Sequence, residues 1–135
     1  MTITGGCLCG AVRWTADGPP RRVTHCHCPS CRKATGAVVA TFATFERKQV
    51  VWGGTPARYG SGDIAWREFC PKCGTSLSFN YKPSAERIFI ALGSFDDPSV
   101  APASFHDHRR QKVTWLHIDQ HLPDSPHAHN KSPRM

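Results

Sequence analysis

Seven cysteines stand in three tight groups: Cys7-Leu8-Cys9, Cys26-His27-Cys28-Pro29-Ser30-Cys31 and Cys70-Pro71-Lys72-Cys73. Thiolates this close in sequence can converge on one tetrahedral cation, at about 2.3 Å from each sulfur. They make poor disulfide partners for one another, because that bond demands a set Cα separation and torsion. An odd total would also leave one thiol over in a complete disulfide framework. The natural division is four plus three. Four thiolates close a zinc site, whereas three leave a coordination position for water or an incoming thiol. A thiol held there is deprotonated by the metal and keeps nucleophilic lone pairs.

Cys7-x-Cys9 and Cys70-x-x-Cys73 each read as a tight turn between strands, with a glycine just after it, Gly10 and Gly74. Two such turns facing each other make a closed, structural four-cysteine site that ties an early hairpin to a late one. The middle group is different in kind. Ser30 reads as the N-cap of a short helix over 31–35 that Gly36 stops, which places Cys31 in the first turn, where the helix dipole favours a thiolate. The fourth position of this site is open to water or a thiol, or is filled by His25 or His27; spacing does not choose. Arg13, Arg32, Lys33 and Arg67 lie beside the cysteines and could bind substrate carboxylates. His106, in a polar segment with Asp107 and His108, is a candidate general acid/base. His117 alternates with Leu116 and Ile118 as a solvent-facing strand residue, and His127 and His129 fall in the terminal segment with no assigned role.

The elements that must position these groups are short. Eleven glycines and eleven prolines spread over 135 residues favour brief strands and tight turns over long helices. Strands are expected over 11–15, 22–25, 37–45, 64–69, 75–79 and 87–92, with Leu77 and Phe79 facing inward. A hairpin is expected from 49–52 and 57–59, and the last apolar segment is 115–118. The fold class is mainly β with little helix, as one domain over 1–122 followed by a flexible C-terminal tail over 123–135. A hydrophobic content of 39% fits a soluble globular protein. Neither a signal peptide nor an apolar run of ~20 residues is present. A cytoplasmic location is therefore expected, without membrane contact, and in a reducing compartment clustered cysteines hold metal rather than form disulfides. The formal charge of +7 could attract nucleic acid or an anionic small substrate. No basic run of five occurs and no aromatics interleave the basic pairs, so only non-specific nucleic-acid binding is expected.

The order Gly6-Cys7-x-Cys9-Gly10-Ala11-Val12, then Cys26-His27-Cys28-x-x-Cys31-Arg32-Lys33-x-x-Gly36-Ala37, then Arg67-x-Phe69-Cys70-x-x-Cys73-Gly74-x-x-Leu77, then Gly93-x-x-Asp96-Asp97-Pro98, resembles the glutathione-dependent formaldehyde-activating enzyme family. That family also includes centromere protein V. The likeness runs from about Gly5 to Pro123 and takes in all seven cysteines; Phe95 departs from it, standing where leucine is usual. The resemblance implies a β-tent fold of short antiparallel strands, similar to that of a zinc-binding Rab accessory protein. It implies two zinc ions per chain, a structural one on Cys7, Cys9, Cys70 and Cys73 and a catalytic one on Cys26, Cys28 and Cys31. It further implies a carbon–sulfur lyase run in reverse, condensing a small thiol such as glutathione with an aldehyde such as formaldehyde to S-hydroxymethylglutathione. The alternative reading is a non-catalytic zinc module that binds protein or nucleic acid through its basic surface.

Overall fold

Ten strands, one α-helix and five short 3-10 helices make up the regular structure of the computed structural model, which describes residues 1–126. The strands and the α-helix are β1 (Thr2–Gly6), β2 (Arg13–Asp17), β3 (Arg22–Cys26), α1 (Pro29–Thr35), β4 (Ala40–Glu46), β5 (Val50–Gly53), β6 (Ala57–Gly60), β7 (Ala65–Phe69), β8 (Ser76–Tyr81), β9 (Arg87–Ala91) and β10 (Phe105–Asp107). A small sheet has the order β1-β2-β5, and a large one the order β10-β3-β4-β9-β8-β7-β6. Every neighbouring pair is antiparallel except β10 on β3, which is parallel. The protein is mainly β, as expected. Among the described residues, no helix is long and apolar enough to cross a membrane.

The small sheet shows why it packs where it does. Along β2, Trp14 and Ala16 are buried while Arg13, Thr15 and Asp17 face solvent, the period-two pattern of a sheet with one wet face. That apolar face lies on β3, β4 and β9 of the large sheet, joining Ile3, Trp14, Val23, Phe45, Ile88, Ile90 and Phe95 in one core. Trp14 meets Phe95 edge-on at 4.9 Å, and its indole N–H donates to the Ser94 hydroxyl at 3.1 Å. Burying one such side chain contributes on the order of 2–3 kcal/mol. Gly5 permits the close approach: a Cβ there would stand 2.3 Å from the Ser94 carbonyl oxygen and 2.4 Å from the Trp14 ring. The cysteines sit at the rim of this sandwich, in the turns that the sheets leave at their ends.

Several expectations change. Segments 49–52 and 57–59 do not form a hairpin: β5 pairs with β2 through Trp14↔Trp52, and β6 pairs with β7 in the other sheet. The apolar Val50 and Trp52 are drawn onto the core, whereas Arg58 and Tyr59 carry nothing to bury there. Strands β1 and β10 were not anticipated. Cys28, not Ser30, caps α1, its sulfur accepting from the Cys31 amide; Pro29 opens the helix, and Gly36 ends it at φ 78° as expected. Residues 115–118 are irregular rather than a strand, with His117 exposed as expected. Pro123, expected to begin the tail, instead accepts from the His106 amide at 3.0 Å, and the Ser125 amide donates back to His106 at 2.8 Å. Backbone pairing on β10 thus runs three residues past the expected boundary at 122. His127 and His129 lie outside the described residues.

Candidate metal centres

The two outer cysteine pairs sit in matching turns. The Cys7 amide donates to Val12 at 2.9 Å and Gly10 closes on the Cys7 carbonyl at 3.2 Å; the Cys70 amide donates to Thr75 at 3.0 Å and Gly74 closes on Cys70 at 2.9 Å. Gly10 and Gly74 both stand at φ 82°, a conformation costly for other residues, so the glycine after each pair has a mechanical cause. The turns face each other and bring four sulfurs together. Cys7 and Cys9 sulfurs are 3.6 Å apart, and Cys9 and Cys70 sulfurs 3.8 Å. A tetrahedron of metal–sulfur bonds of 2.3 Å has edges of about 3.8 Å, whereas a disulfide needs about 2.05 Å. The group therefore has the dimensions of a thiolate-bound cation. Amides point at the sulfurs: Val12 N–H on Cys7 at 3.2 Å, and the Lys72 and Cys73 N–H on Cys70 at 3.3 and 3.4 Å. The Val12 amide lowers the Cys7 pKa, and the Thr75 hydroxyl and amide bring Cys73 down to about 5. Val12 and Leu77 pack under Cys7 and Cys70, while Cys9 and Cys73 are exposed.

The second group is local. Cys26 ends β3, Cys28 caps α1 and Cys31 lies in its first turn. The Cys26 sulfur is 3.6 Å from Cys28 and 3.2 Å from Cys31, again tetrahedral in scale, and the Cys31 amide donates to the Cys28 sulfur at 3.3 Å. Hydrogen bonds from Cys26, then Cys31 and its amide, pull the Cys28 thiol down to about 2 and push Cys26 far up in return. A cation would release the protons that these thiols otherwise share. Ala40, Phe42 and Ala91 pack around the group, with Phe79 and Phe89 beside them. No fourth His, Asp or Glu donor joins it among the described residues.

The histidines lie elsewhere for a simple reason. Side chains alternate along a strand, so His25 faces away from Cys26, and His27, just past the end of β3, turns to His106. His25 bonds the Thr41 hydroxyl at 2.7 Å and Asp119 at 2.8 Å. His27 Nε2 and His106 Nδ1 are 2.8 Å apart, and His106 Nε2 is 2.9 Å from the Asp119 carbonyl oxygen. A carbonyl only accepts, so His106 carries its proton on Nε2, and the neutral ring accepts from His27 Nε2–H. Burial lowers the His27 pKa to about 4 and moves that of His106 down too. His106 braces the β3 edge rather than facing the cysteines.

The basic candidates divide in the same way. Arg32 donates to the His27 and Gln111 carbonyls, both at 2.7 Å, and Arg13 forks onto Asp96, whose pKa it brings down to about 2. Both are engaged within the protein. Lys33 and Arg67 instead line a cavity of about 620 Å³ between α1, β6, β7 and the turn at Gly74, and Arg67 Nη2 points at the Cys31 sulfur from 3.7 Å. Arg58, Tyr59 and Ser61 complete that wall. Sequence reasoning missed them, since nothing in their spacing says that β6 lies beside β7.

The sequence matches the family described as glutathione-dependent formaldehyde-activating enzyme over residues 2–111. An uncharacterized lyase of Schizosaccharomyces pombe is 31% identical over 86 residues, 64% of this chain and 63% of that protein, so the chain spans less than two thirds of this relative. A provisionally named glutathione-dependent formaldehyde-activating enzyme of Halomonas elongata is 25% identical over 135 residues, 92% of this chain and 85% of that protein. A crystal structure of a Rhodobacter sphaeroides protein superposes with a TM-score of 0.56 at 21% identity, covering 74% of this chain and 96% of that one. That likeness is one of fold.

Proposed function

This chain belongs to the glutathione-dependent formaldehyde-activating enzyme family, and on that ground we propose that it is a zinc-dependent carbon–sulfur lyase. It adds a small thiol, by its relatives' names glutathione, to an aldehyde such as formaldehyde. Cys7, Cys9, Cys70 and Cys73 hold one zinc, closed and structural; Cys26, Cys28 and Cys31 hold the other. Zinc bound at the second group supplies a Lewis acid that stabilises a substrate thiolate near neutral pH.

The chain's own residues do the rest. Three sulfurs bind, and the Cys31 amide holds the Cys28 sulfur in place. Three thiolates outweigh a divalent cation by one charge, and the guanidinium of Arg67 offsets the excess at Cys31. Phe42, Phe79 and Phe89 limit water at the cluster, which strengthens these electrostatic terms. In the reaction the thiol sulfur bonds to the carbonyl carbon, the π pair moves to oxygen, and the thiol's proton ends there, giving the S-hydroxymethyl adduct.

One observation carries this reading: the local cluster has three donors where the other has four, and Arg67, which lines a neighbouring cavity, reaches its Cys31 sulfur. The test is metal content per chain, followed by glutathione titration of cobalt-substituted protein watched by absorption. Two metals per chain and a charge-transfer band that grows with thiol are expected. Metal near one, or spectra indifferent to every thiol, would sink the proposal in favour of a non-catalytic zinc module.

A further inference from the structure

The cavity of about 620 Å³ that Arg67 shares with the three-cysteine cluster falls within the ~300–1,000 Å³ of small-molecule sites. Its walls carry three cations, Lys33 of α1, Arg58 of β6 and Arg67 of β7, against one carboxylate, Glu68. That carboxylate is committed: its Oε1 accepts from the Ser78 hydroxyl at 2.7 Å and from the Asn80 amide at 3.2 Å. Arg67 is not. It is only 6% exposed and lies 4.8 Å over the Phe79 ring, yet among the described residues no carboxylate pairs with it. Its Nε reaches Ser61 Oγ at 3.4 Å, Nη2 faces the Cys31 sulfur, and Nη1 meets no partner among the described residues. A desolvated cation with an unmet donor is costly, so an anion meeting it recovers more than it would at an exposed arginine. With Nε and Nη2 engaged, Nη1 is left for a single charge-assisted contact to an anion.

We propose that Arg67, Arg58 and Lys33 form a carboxylate subsite through which the enzyme selects acidic thiols. This rests on the proposed function, since the subsite serves the neighbouring metal. The anion belongs to the thiol and not to the aldehyde, because formaldehyde carries no charge and fills little of such a cavity. Arg67 joins the two halves of the site. One nitrogen of its fork addresses the cluster that takes the sulfur, and the other is left for the substrate's carboxylate.

Titration calorimetry on the zinc-loaded protein tests this with three thiols of similar size, 3-mercaptopropionate, 2-mercaptoethanol and cysteamine. The acidic thiol should bind at least about tenfold tighter than the neutral one, and the cationic thiol weakest. Lys33 and Arg58 are exposed, so the Lys33→Gln/Arg58→Gln variant should fold; it should narrow the preference to about threefold or less. Arg67→Gln should abolish what remains, and if that variant does not fold the double variant still decides. Propionate, with the carboxylate and no thiol, should bind wild type weakly and lose that binding in the double variant. An acidic preference that survives unchanged in the double variant means the carboxylate is read elsewhere, by the metal included, and overturns the subsite. Equal affinity for the three thiols overturns it while leaving the open metal in place. Absence of binding by every thiol overturns the subsite and the proposed function together.

Discussion

Cys9 and Cys70 lie 61 positions apart and bring their sulfurs to 3.8 Å, whereas Cys26 and Cys31 lie five apart and bring theirs to 3.2 Å. Both clusters use thiolates at tetrahedral spacing, and they differ in almost everything around the sulfur. The long-range cluster clamps a turn near the start of the sequence to one near its middle and leaves Cys9 and Cys73 in solvent. The local cluster closes a small loop, buries Cys26 and Cys31 among apolar side chains and faces a buried guanidinium. Sequence separation sets how much fold depends on the metal, and the number of ligands with the surrounding wall sets the chemistry.

The largest expected effect is on the clamp. Cys73→Ala should abolish it, and structural zinc contributes on the order of 10 kcal/mol to small domains, comparable to a whole domain's ~5–15 kcal/mol. Unfolded, aggregating or proteolysed protein is expected, read by circular dichroism and limited proteolysis. Cys31→Ala should cost only on the order of 2–4 kcal/mol, because its loop is short. It should stay soluble and cooperatively folded, bind about one zinc fewer, and lose thiol-dependent activity. Equal collapse of the two variants would erase the distinction between the clusters and make the second zinc structural too.

A smaller effect sharpens the boundary between the cysteine face and the histidine face of β3. Burial holds the His106 pKa below its ordinary value. The stability linked to that shift is complete above about pH 6.5 and is lost as pH falls below it. Wild-type thermal stability should thus decline more steeply from pH 7 to pH 5 than that of His106→Gln. His27 stays buried in both proteins, so the difference isolates His106, which faces His27, His25, Arg109, Asp119 and Asp124. Parallel pH profiles would mean that His106 does not resist protonation.

The cysteines were legible in the sequence because ligation fixes residue type and spacing together. So were the Gly36 stop and strands β7 and β8, where alternation and turn residues agree. The pairing of β5 and β6 was not legible: two adjacent extended segments read as a hairpin unless one knows that Trp52 belongs opposite Trp14. Strand β10 is three residues long and gains its place from β3, some 80 residues earlier, through contacts that leave no local pattern. Only Lys33 and Arg67 of the cavity's basic wall could be suspected from their cysteine neighbours, and Arg58 arrives through sheet order. The fate of His25 was readable in principle, since β3 alternation already sends it away from Cys26, whereas His27 lies past the strand and takes its place from His106.

The long-range clamp has a consequence in time. While the chain is being made, Cys7 and Cys9 are half a metal site until the late pair emerges. At about 5–20 residues per second, the 61 positions from Cys9 to Cys70 take roughly 3–12 s. A cation caught by the early pair in that interval presents two unfilled positions to any thiolate within reach, including the late pair of a neighbouring nascent chain. With a metal on this site, its supply and the pace of translation would bear on whether released chains are single or joined through a shared ion.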